Sequence, residues 1–231
     1  MKASDNPFAS LLVTEGSAPA SPASGKQRLF IDSADHAVKV KNSSGSVTAV
    51  GGAGGAGALI LLEQHTAASS ATLDFTTFIS STYDSYRLEV VDLSPANNAT
   101  DLLVQMGTGG GPTWDTGNNY EMAGRLFSTS GSDVVWNAET GAGGIIFKSM
   151  SNNAGYGSGQ ATSTIRNLQS TAHRKSIFGT LYFVSSAPAA VFGSGGLDWI
   201  TTATAVTGLR FLMSSGNIAS GTIRIYGVAK S

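Results

Sequence analysis

The run Leu209-Arg-Phe-Leu-Met213, followed by Ser214-Ser-Gly-Asn-Ile-Ala-Ser-Gly221 and then by Thr222-Ile-Arg-Ile-Tyr-Gly-Val228, indicates the fold class of this chain. In the first and last runs, apolar side chains alternate with other residues, which is the period of a strand with one buried face. Two alternating runs around a turn of Gly, Ser and Asn predict a closing β-hairpin. We expect this pair to be central in a sheet to which earlier strands add.

The same alternation recurs upstream, from Ala58 onwards, between connections rich in Gly, Asn, Ser and Thr. Apart from a short turn at residues 78–83, no segment has the period of a helix. The predicted earlier strands are Leu59 to His65, Ala71 to Phe75, Ser85 to Leu93, Asp101 to Gly107, Tyr120 to Ser128, Ile145 to Met150, Thr162 to Leu168, Lys175 to Phe183 and Trp199 to Ala203. Residues 58–231 are therefore predicted to form an all-β body, an antiparallel β-sandwich of the jelly-roll type.

Residues 1–57 have a different composition. Pro, Ala, Ser and Gly dominate residues 1–25, which cannot bury enough apolar surface to fold alone, so we expect an extended docking arm. Its apolar anchors would be Phe8, Leu11 and Leu12.

Three short strands with turn residues between them follow in residues 26–50 and predict a small β-meander. A sheet of this size has almost no core, so it should be stable only against something else. The glycine-rich tract 51–57 predicts a flexible hinge before the body.

Composition excludes several classes of function. The 231 residues include 14 Lys and Arg against 15 Asp and Glu, so no basic surface for nucleic acid is predicted. There is no cysteine, which excludes disulfides and thiolate metal sites. We recognise no export signal, and no apolar run approaches the roughly 20 residues that span a bilayer.

No motif predicts catalysis, a cofactor or a metal. Gly52, Gly54 and Gly57 have the spacing of a dinucleotide fingerprint, but a strand-like run follows where a helix is needed. The three histidines lie far apart in the sequence, without a second ligand at a helical or hairpin spacing. Most carboxylates adjoin turn residues, and none can be paired for glycoside cleavage from sequence. The chain is therefore predicted not to be an enzyme.

One group of aromatic and polar residues has two interpretations. An exposed ring beside Asn and Asp is a common platform for a sugar, whose apolar face stacks on the ring. The alternative is that the rings close the ends of the sandwich or fill a subunit interface, where Trp and Tyr are also enriched. The residues concerned are Trp114, Asp115, Asn118, Asn119, Tyr120 and Trp136.

Parts of the chain resemble tailed-bacteriophage virion proteins of the tail-fibre and head-decoration types. The resemblance is in the arm and meander, Leu11 to Asp32 and Val38 to Gly45, and in the body at Tyr83-Asp-Ser-Tyr-Arg-Leu-Glu89, Asn118-Asn-Tyr120 and Gly221-Thr-Ile-Arg-Ile-Tyr-Gly227. It implies a virion component assembled in the host cytoplasm, commonly a homotrimer, and it assigns no catalytic or binding residue.

Three functions follow as hypotheses. The first is a tail-fibre or host-attachment protein that docks to other virion proteins through its amino-terminal arm and projects the sandwich outward, where it contacts a host surface glycan. The second is a head-decoration protein that stabilises the shell. The third, from another class, is a carbohydrate-binding module.

Overall fold

The structure is a computed structural model that describes residues 14–50, 58–131, 134–153, 155, 158–201 and 203–229, without the side chains of residues 134–141. The chain divides into two compact units, Met1–Gly55 and Ala56–Ser231. All regular elements of the described part are β-strands, and nearly all pair antiparallel, which confirms the predicted all-β class. The described part contains no helix of the length and apolarity needed to cross a membrane.

The amino-terminal unit is a small four-stranded sheet. Its strands, in spatial order, are β1 (Glu15–Gly16), β2 (Gln27–Asp32), β3 (Val38–Asn42) and β4 (Val47–Ala49). The last three form an antiparallel meander, whereas β1 pairs parallel to β2. β1 lies in the segment predicted as an extended arm. It was not predicted as a strand because two residues are too few to show an alternation of side chains. The predicted anchors Phe8, Leu11 and Leu12 and the predicted hinge 51–57 lie outside the described residues.

The body consists of two facing sheets. Its strands are β5 (Leu59–Ser70), β6 (Thr72–Phe75), β7 (Tyr83–Pro95), β8 (Thr100–Thr108), β9 (Thr113–Trp114), β10 (Tyr120–Ser128), β11 (Val134–Gly141), β12 (Gly144–Met150), β13 (Gly159–Arg166), β14 (Lys175–Val184), β15 (Ala190–Trp199), β16 (Gly208–Met213) and β17 (Ile218–Ala229). One sheet has eight strands in the order β11-β10-β15-β14-β13-β7-β17-β5, and the other has the order β12-β8-β16-β6 with β9 beside β8. Apolar side chains from both sheets form one buried cluster between them, as in a sandwich. The jelly-roll connectivity stays a prediction.

The predicted closing hairpin is wrong. β16 pairs with β6 and β8, whereas β17 pairs with β5 and β7 in the opposite sheet, so residues 214–217 cross from one sheet to the other. Phe211 and Ile225 are both fully buried in the shared cluster. Placing the two strands in facing sheets lets both apolar faces contact the same core. Each strand is nevertheless interior to its sheet, as expected for the most regular runs.

Strand β15 was not predicted from the sequence. The sequence predicts a strand at residues 199–203, but the strand occupies Ala190–Trp199 and ends where the predicted one begins. Its centre, Gly193-Ser-Gly-Gly196, has the composition of a loop. Full backbone pairing with β10 on one side and β14 on the other makes it a strand despite this composition.

A row of small residues crosses four neighbouring strands of the large sheet. In register, the row reads Gly124, Gly195, Gly179 and Ser163 on β10, β15, β14 and β13. A Cβ built on Gly179 would overlap the carbonyl oxygen of Thr162 and lie 2.6 Å from Cα of Ser163. Backbone therefore occupies the place of a side chain at this point, and only glycine fits there.

Candidate binding surface

The loop predicted to contact a glycan begins at β9, where Trp114 is packed on the smaller sheet. Its half-buried ring lies against Gly107, since a Cβ at that glycine would be 2.6 Å from Cζ3 of the indole. The guanidinium of Arg210 lies over the ring, 4.5 Å from its centroid. Trp114 is thus held between a glycine and a cation.

Asp115 organises the rest of this loop. Its carboxylate accepts hydrogen bonds from the indole nitrogen of Trp199 at 2.6 Å, from the Asn119 side-chain amide at 2.8 and 3.0 Å, and from the Gly117 backbone at 2.8 Å. Trp199 ends β15 and is almost completely buried. The carboxylate therefore fixes the loop to the end of the large sheet.

Tyr120 is fully buried beneath the same loop. Its hydroxyl donates to the carbonyl of Asp115 at 3.0 Å and accepts from the backbone amide of Met106 at 2.9 Å. Burial raises the pKa of this phenol well above its usual value of 10.0. Tyr120 therefore stays neutral and connects the loop to β8.

The structure brings together Asp115, Asn119 and Tyr120 from the predicted set, and it adds Trp199, which the sequence did not single out. Asn118 is exposed on the same loop. Trp136 lies on β11, where its backbone pairs with Gly124, and its side chain is outside the described part. Contact of these residues with a glycan stays a prediction. The hydrogen bonds of Asp115 and Tyr120 give these two residues a structural role.

Two of the histidines have carboxylate partners. His36 lies 2.9 Å from Glu15 in the small sheet, and His65 lies 2.9 Å from Glu63 in the body. Among the described residues, no three His, Cys, Asp or Glu side chains come together as a metal site would require.

Glu63 is a structural carboxylate rather than an exposed one. It accepts backbone hydrogen bonds from Thr76, Thr77 and Phe78 at 3.2, 2.9 and 3.1 Å. Burial alone would raise the pKa of Glu63, but the hydrogen bonds from His65 and from these amides outweigh burial, so the pKa lies below its usual 4.5. The charged form therefore holds the segment after β6 against β5.

Replacing Glu63 by glutamine is expected to lower the free energy of unfolding by about 2 kcal/mol at neutral pH, since charged acceptors form the stronger hydrogen bonds. A depressed pKa stabilises the fold above the pKa of the unfolded chain, and the stabilisation is lost as pH falls through the folded value. The difference between wild type and variant should therefore shrink in acid. Urea denaturation at neutral and at acidic pH measures it.

The control for this experiment is Glu121→Gln, which changes a half-exposed carboxylate that pairs with Arg174 at the surface. A surface pair of this kind is expected to contribute less than about 1 kcal/mol. Equal losses for the two variants, or a loss at Glu63 that does not depend on pH, would contradict the assignment.

The outer face of the large sheet has the composition of a contact surface. On strands β10, β15, β14 and β13, the outward side chains include several aromatic residues and two arginines but no lysine. Enrichment in aromatic residues and arginine with depletion of lysine is characteristic of interfaces. The outward aromatic residues are Phe127, Phe178, Tyr182 and Phe192.

Three of these rings form a row across adjacent strands. Phe127, Phe192 and Tyr182 are register partners on β10, β15 and β14, and the rings of Phe127 and Phe192 are 6.0 Å apart. Phe192 is 50% exposed. The row is an apolar ridge across three strands of this face.

A depression lies beside this ridge, towards the opposite end of the strands. It has a volume of about 390 Å³ and is lined by Ala123, Phe178, Gly196, Ser176, Glu121 and Asp198 among others. Phe178 is 45% exposed and forms its apolar wall. The floor is open because Gly196, the register partner of Phe178, has no side chain.

Glu121 and Asp198 are direct register partners on β10 and β15, at the polar end of the depression. Like charges directly opposite each other destabilise a sheet. Arg174 compensates one of them, with its Nη1 atom 2.6 Å from Glu121. Within the described part of the chain, the Asp198 carboxylate has no hydrogen bond or ion pair.

This surface was not predicted from the sequence, although strand β14 contains a usable signal. In Lys175 to Phe183, Ile177 and Phe183 are buried, whereas Phe178 and Tyr182 lie on the other face. A strand with aromatic residues on both faces indicates a second, partly apolar surface.

Comparison of the chain with known protein families, with curated proteins and with solved structures found no match.

Proposed function

We propose that this chain is a non-enzymatic structural protein of a tailed-bacteriophage particle, of the tail-fibre or host-attachment type. Its amino-terminal unit docks to other virion proteins, and its body is displayed for contact with the host surface. The phage assignment rests on the resemblance of the arm, meander and body segments to virion proteins. The docking role rests on one structural observation, the bare apolar face of the small sheet.

That apolar face is defined by the register of the meander. Leu29 pairs with Val40 and Ile31 pairs with Val38, while Val50 donates its amide to the carbonyl of Val38. All five side chains therefore lie on one face, which we call the aliphatic face. Leu29 is 57% exposed, and no residue among the five is fully buried.

The opposite face of the same sheet is charged and self-contained. Lys39 donates to Asp32 at 2.9 Å and pairs with Asp35 at 2.8 Å. Phe30, at 8% exposure, is the buried apolar side chain among the described residues of this unit. One buried ring cannot offset the entropy of ordering four strands, so the aliphatic face must be covered for the unit to be stable.

The occupant that fits this face is another protein subunit of the particle. The aliphatic face has five aliphatic side chains and no charge. A protein contact would cover such a surface, whereas nucleic acid and polar ligands bind to charged or polar groups. The chain divides after Gly55, so the body is a compact unit of its own, which supports its display. This arrangement accounts for both units with one assembly.

Replacing Leu29 by lysine is expected to lower incorporation into particles about tenfold or more, because a buried charge costs well over 1.4 kcal/mol. The matched control is Val47→Lys, at a residue that is 42% exposed but lies on the opposite face, since its partner is Lys41. Incorporation is measured by quantitative immunoblotting of purified particles. Normal incorporation of Leu29→Lys, or equal losses for both variants, would overturn the docking role.

Imaging of the same particles distinguishes a tail-fibre protein from a head-decoration protein. Electron microscopy with a label at the carboxyl end should place the protein on the tail if it is an attachment protein. A label distributed over the shell would make it a head-decoration protein instead, with the same docking face.

A further inference from the structure

We propose that the depression beside Phe178 binds a neutral saccharide through the Phe178 ring and the Asp198 carboxylate. This proposal rests on the proposed host-attachment function and names the class of ligand that the body would bind on the host surface. It differs from the predicted loop around Trp114, whose ring is covered by Arg210.

The shape of the depression fits one or two sugar rings. Its volume of about 390 Å³ lies within the range of small-ligand sites. The half-exposed ring of Phe178 offers a flat apolar wall, and the glycine at 196 and the alanine at 123 leave the space in front of it open. A pyranose has an apolar face of matching size that packs on aromatic rings.

The polar groups of the depression are those that a polyol requires. Asp198 and Ser176 are register partners at one end, and neither side chain has a hydrogen-bond partner among the described residues. The carboxylate accepts two hydroxyl hydrogen bonds, and the serine hydroxyl can donate or accept one. An acceptor without a partner beside an apolar wall is the arrangement that orients a sugar.

The local charge favours a neutral ligand over a cation. Across four strands the row reads Glu121, Asp198, Ser176 and Arg166, and Arg174 pairs with Glu121. The formal charges of these two carboxylates and two guanidinium groups sum to zero, although of the two carboxylates only Glu121 is in an ion pair with a described residue. An ammonium or guanidinium ligand would meet no net negative charge, whereas hydroxyl groups can bond to either sign.

The test is nuclear magnetic resonance titration of the full chain with three probes, the methyl glycosides of glucose, galactose and mannose, and with methylguanidinium as the cationic probe. At least one glycoside at millimolar concentration should shift the backbone amide signals of residues 176–178 and 196–198. Shifts with methylguanidinium alone, or with none of the four probes, would overturn the proposal.

Two variants locate the contact. Phe178→Ala and Asp198→Asn should each weaken binding about tenfold or more, equivalent to roughly 1.4 kcal/mol. Phe127→Ala is the matched control, because Phe127 is 46% exposed on the same face but does not line the depression. Thermal unfolding verifies that all three variants fold. Unchanged binding in Phe178→Ala and Asp198→Asn, or an equal loss in the control, would overturn the site.

This result is independent of the docking test. Phe178→Ala should still be incorporated into particles, whereas Leu29→Lys should still bind the glycoside. If Leu29→Lys is incorporated normally while the glycoside binds, the particle role fails and the saccharide site stands. If incorporation depends on Leu29 while no glycoside binds, the saccharide site fails and the particle role stands.

Discussion

Replacing Gly179 by alanine is expected to destabilise the body by about 3 kcal/mol or to prevent its folding. Added atoms in a packed interior cost roughly 1–3 kcal/mol, and more when backbone must move. At this position the new methyl group would overlap the Thr162 carbonyl oxygen on the neighbouring strand. Relief would require β13 and β14 to separate, with loss of their backbone hydrogen bonds.

Gly110→Ala is the control for this prediction. A Cβ at Gly110 has no atom within 4 Å, so the substitution adds a methyl group without a clash. Circular dichroism and thermal unfolding of both variants measure the effect. A Gly179→Ala variant as stable as the control would contradict the close approach of β13 and β14 at this position.

Replacing Asp115 by alanine is expected to lower the free energy of unfolding by about 3 kcal/mol. The variant leaves the buried indole N–H of Trp199 without its acceptor, and it releases the Asn119 side chain and the Gly117 amide as well. An unsatisfied buried donor costs about 1–3 kcal/mol, and a charged acceptor contributes more than a neutral one.

The matched control is Asn118→Ala, in the same loop. Asn118 is exposed and its side chain has no hydrogen-bond partner in the described part, so its loss should change stability by less than about 0.5 kcal/mol. Urea denaturation of both variants separates the two. If they were equally stable, Asp115 would have no structural role, and its prediction as a ligand contact would gain support.

Side-chain alternation was sufficient for the class of fold and for most strands. The strand predicted at Tyr120 to Ser128 has these bounds in the structure, and the one predicted at Lys175 to Phe183 ends one residue later. In both, large apolar residues at most alternate positions face the core, with exceptions at Gly124, Lys175 and Gly179. Burying one face of a strand is a local requirement, so the sequence of that strand records it.

Pairing partners were not predictable in the same way. Each of the strands β16 and β17 has one apolar face, and a short turn separates the two strands. This pattern is equally compatible with a hairpin and with a crossing between sheets. The choice depends on β8 and β7, which supply the neighbours in the two sheets and are distant in sequence. The strand β15 was missed for the same reason, because its backbone is ordered by two neighbours and not by its own glycines.

The candidate site shows the same division. The sequence drew attention to Trp114 and Asp115 because an aromatic ring beside polar residues indicates a binding loop, but it could not reveal that Arg210 covers the ring or that Trp199 is bonded to the carboxylate. Phe178 and Asp198 lie 20 positions apart in sequence, in segments of ordinary composition. They line one depression only because β14 and β15 are neighbours.

By itself, then, the sequence determined the all-β class, most of the strands and the small meander, because each of these depends on the alternation of side chains within a few residues. Tertiary structure alone decided which strands pair, where glycine is obligatory and which side chains share the outer face. Those properties depend on contacts between residues far apart in the chain, and no local period encodes such contacts.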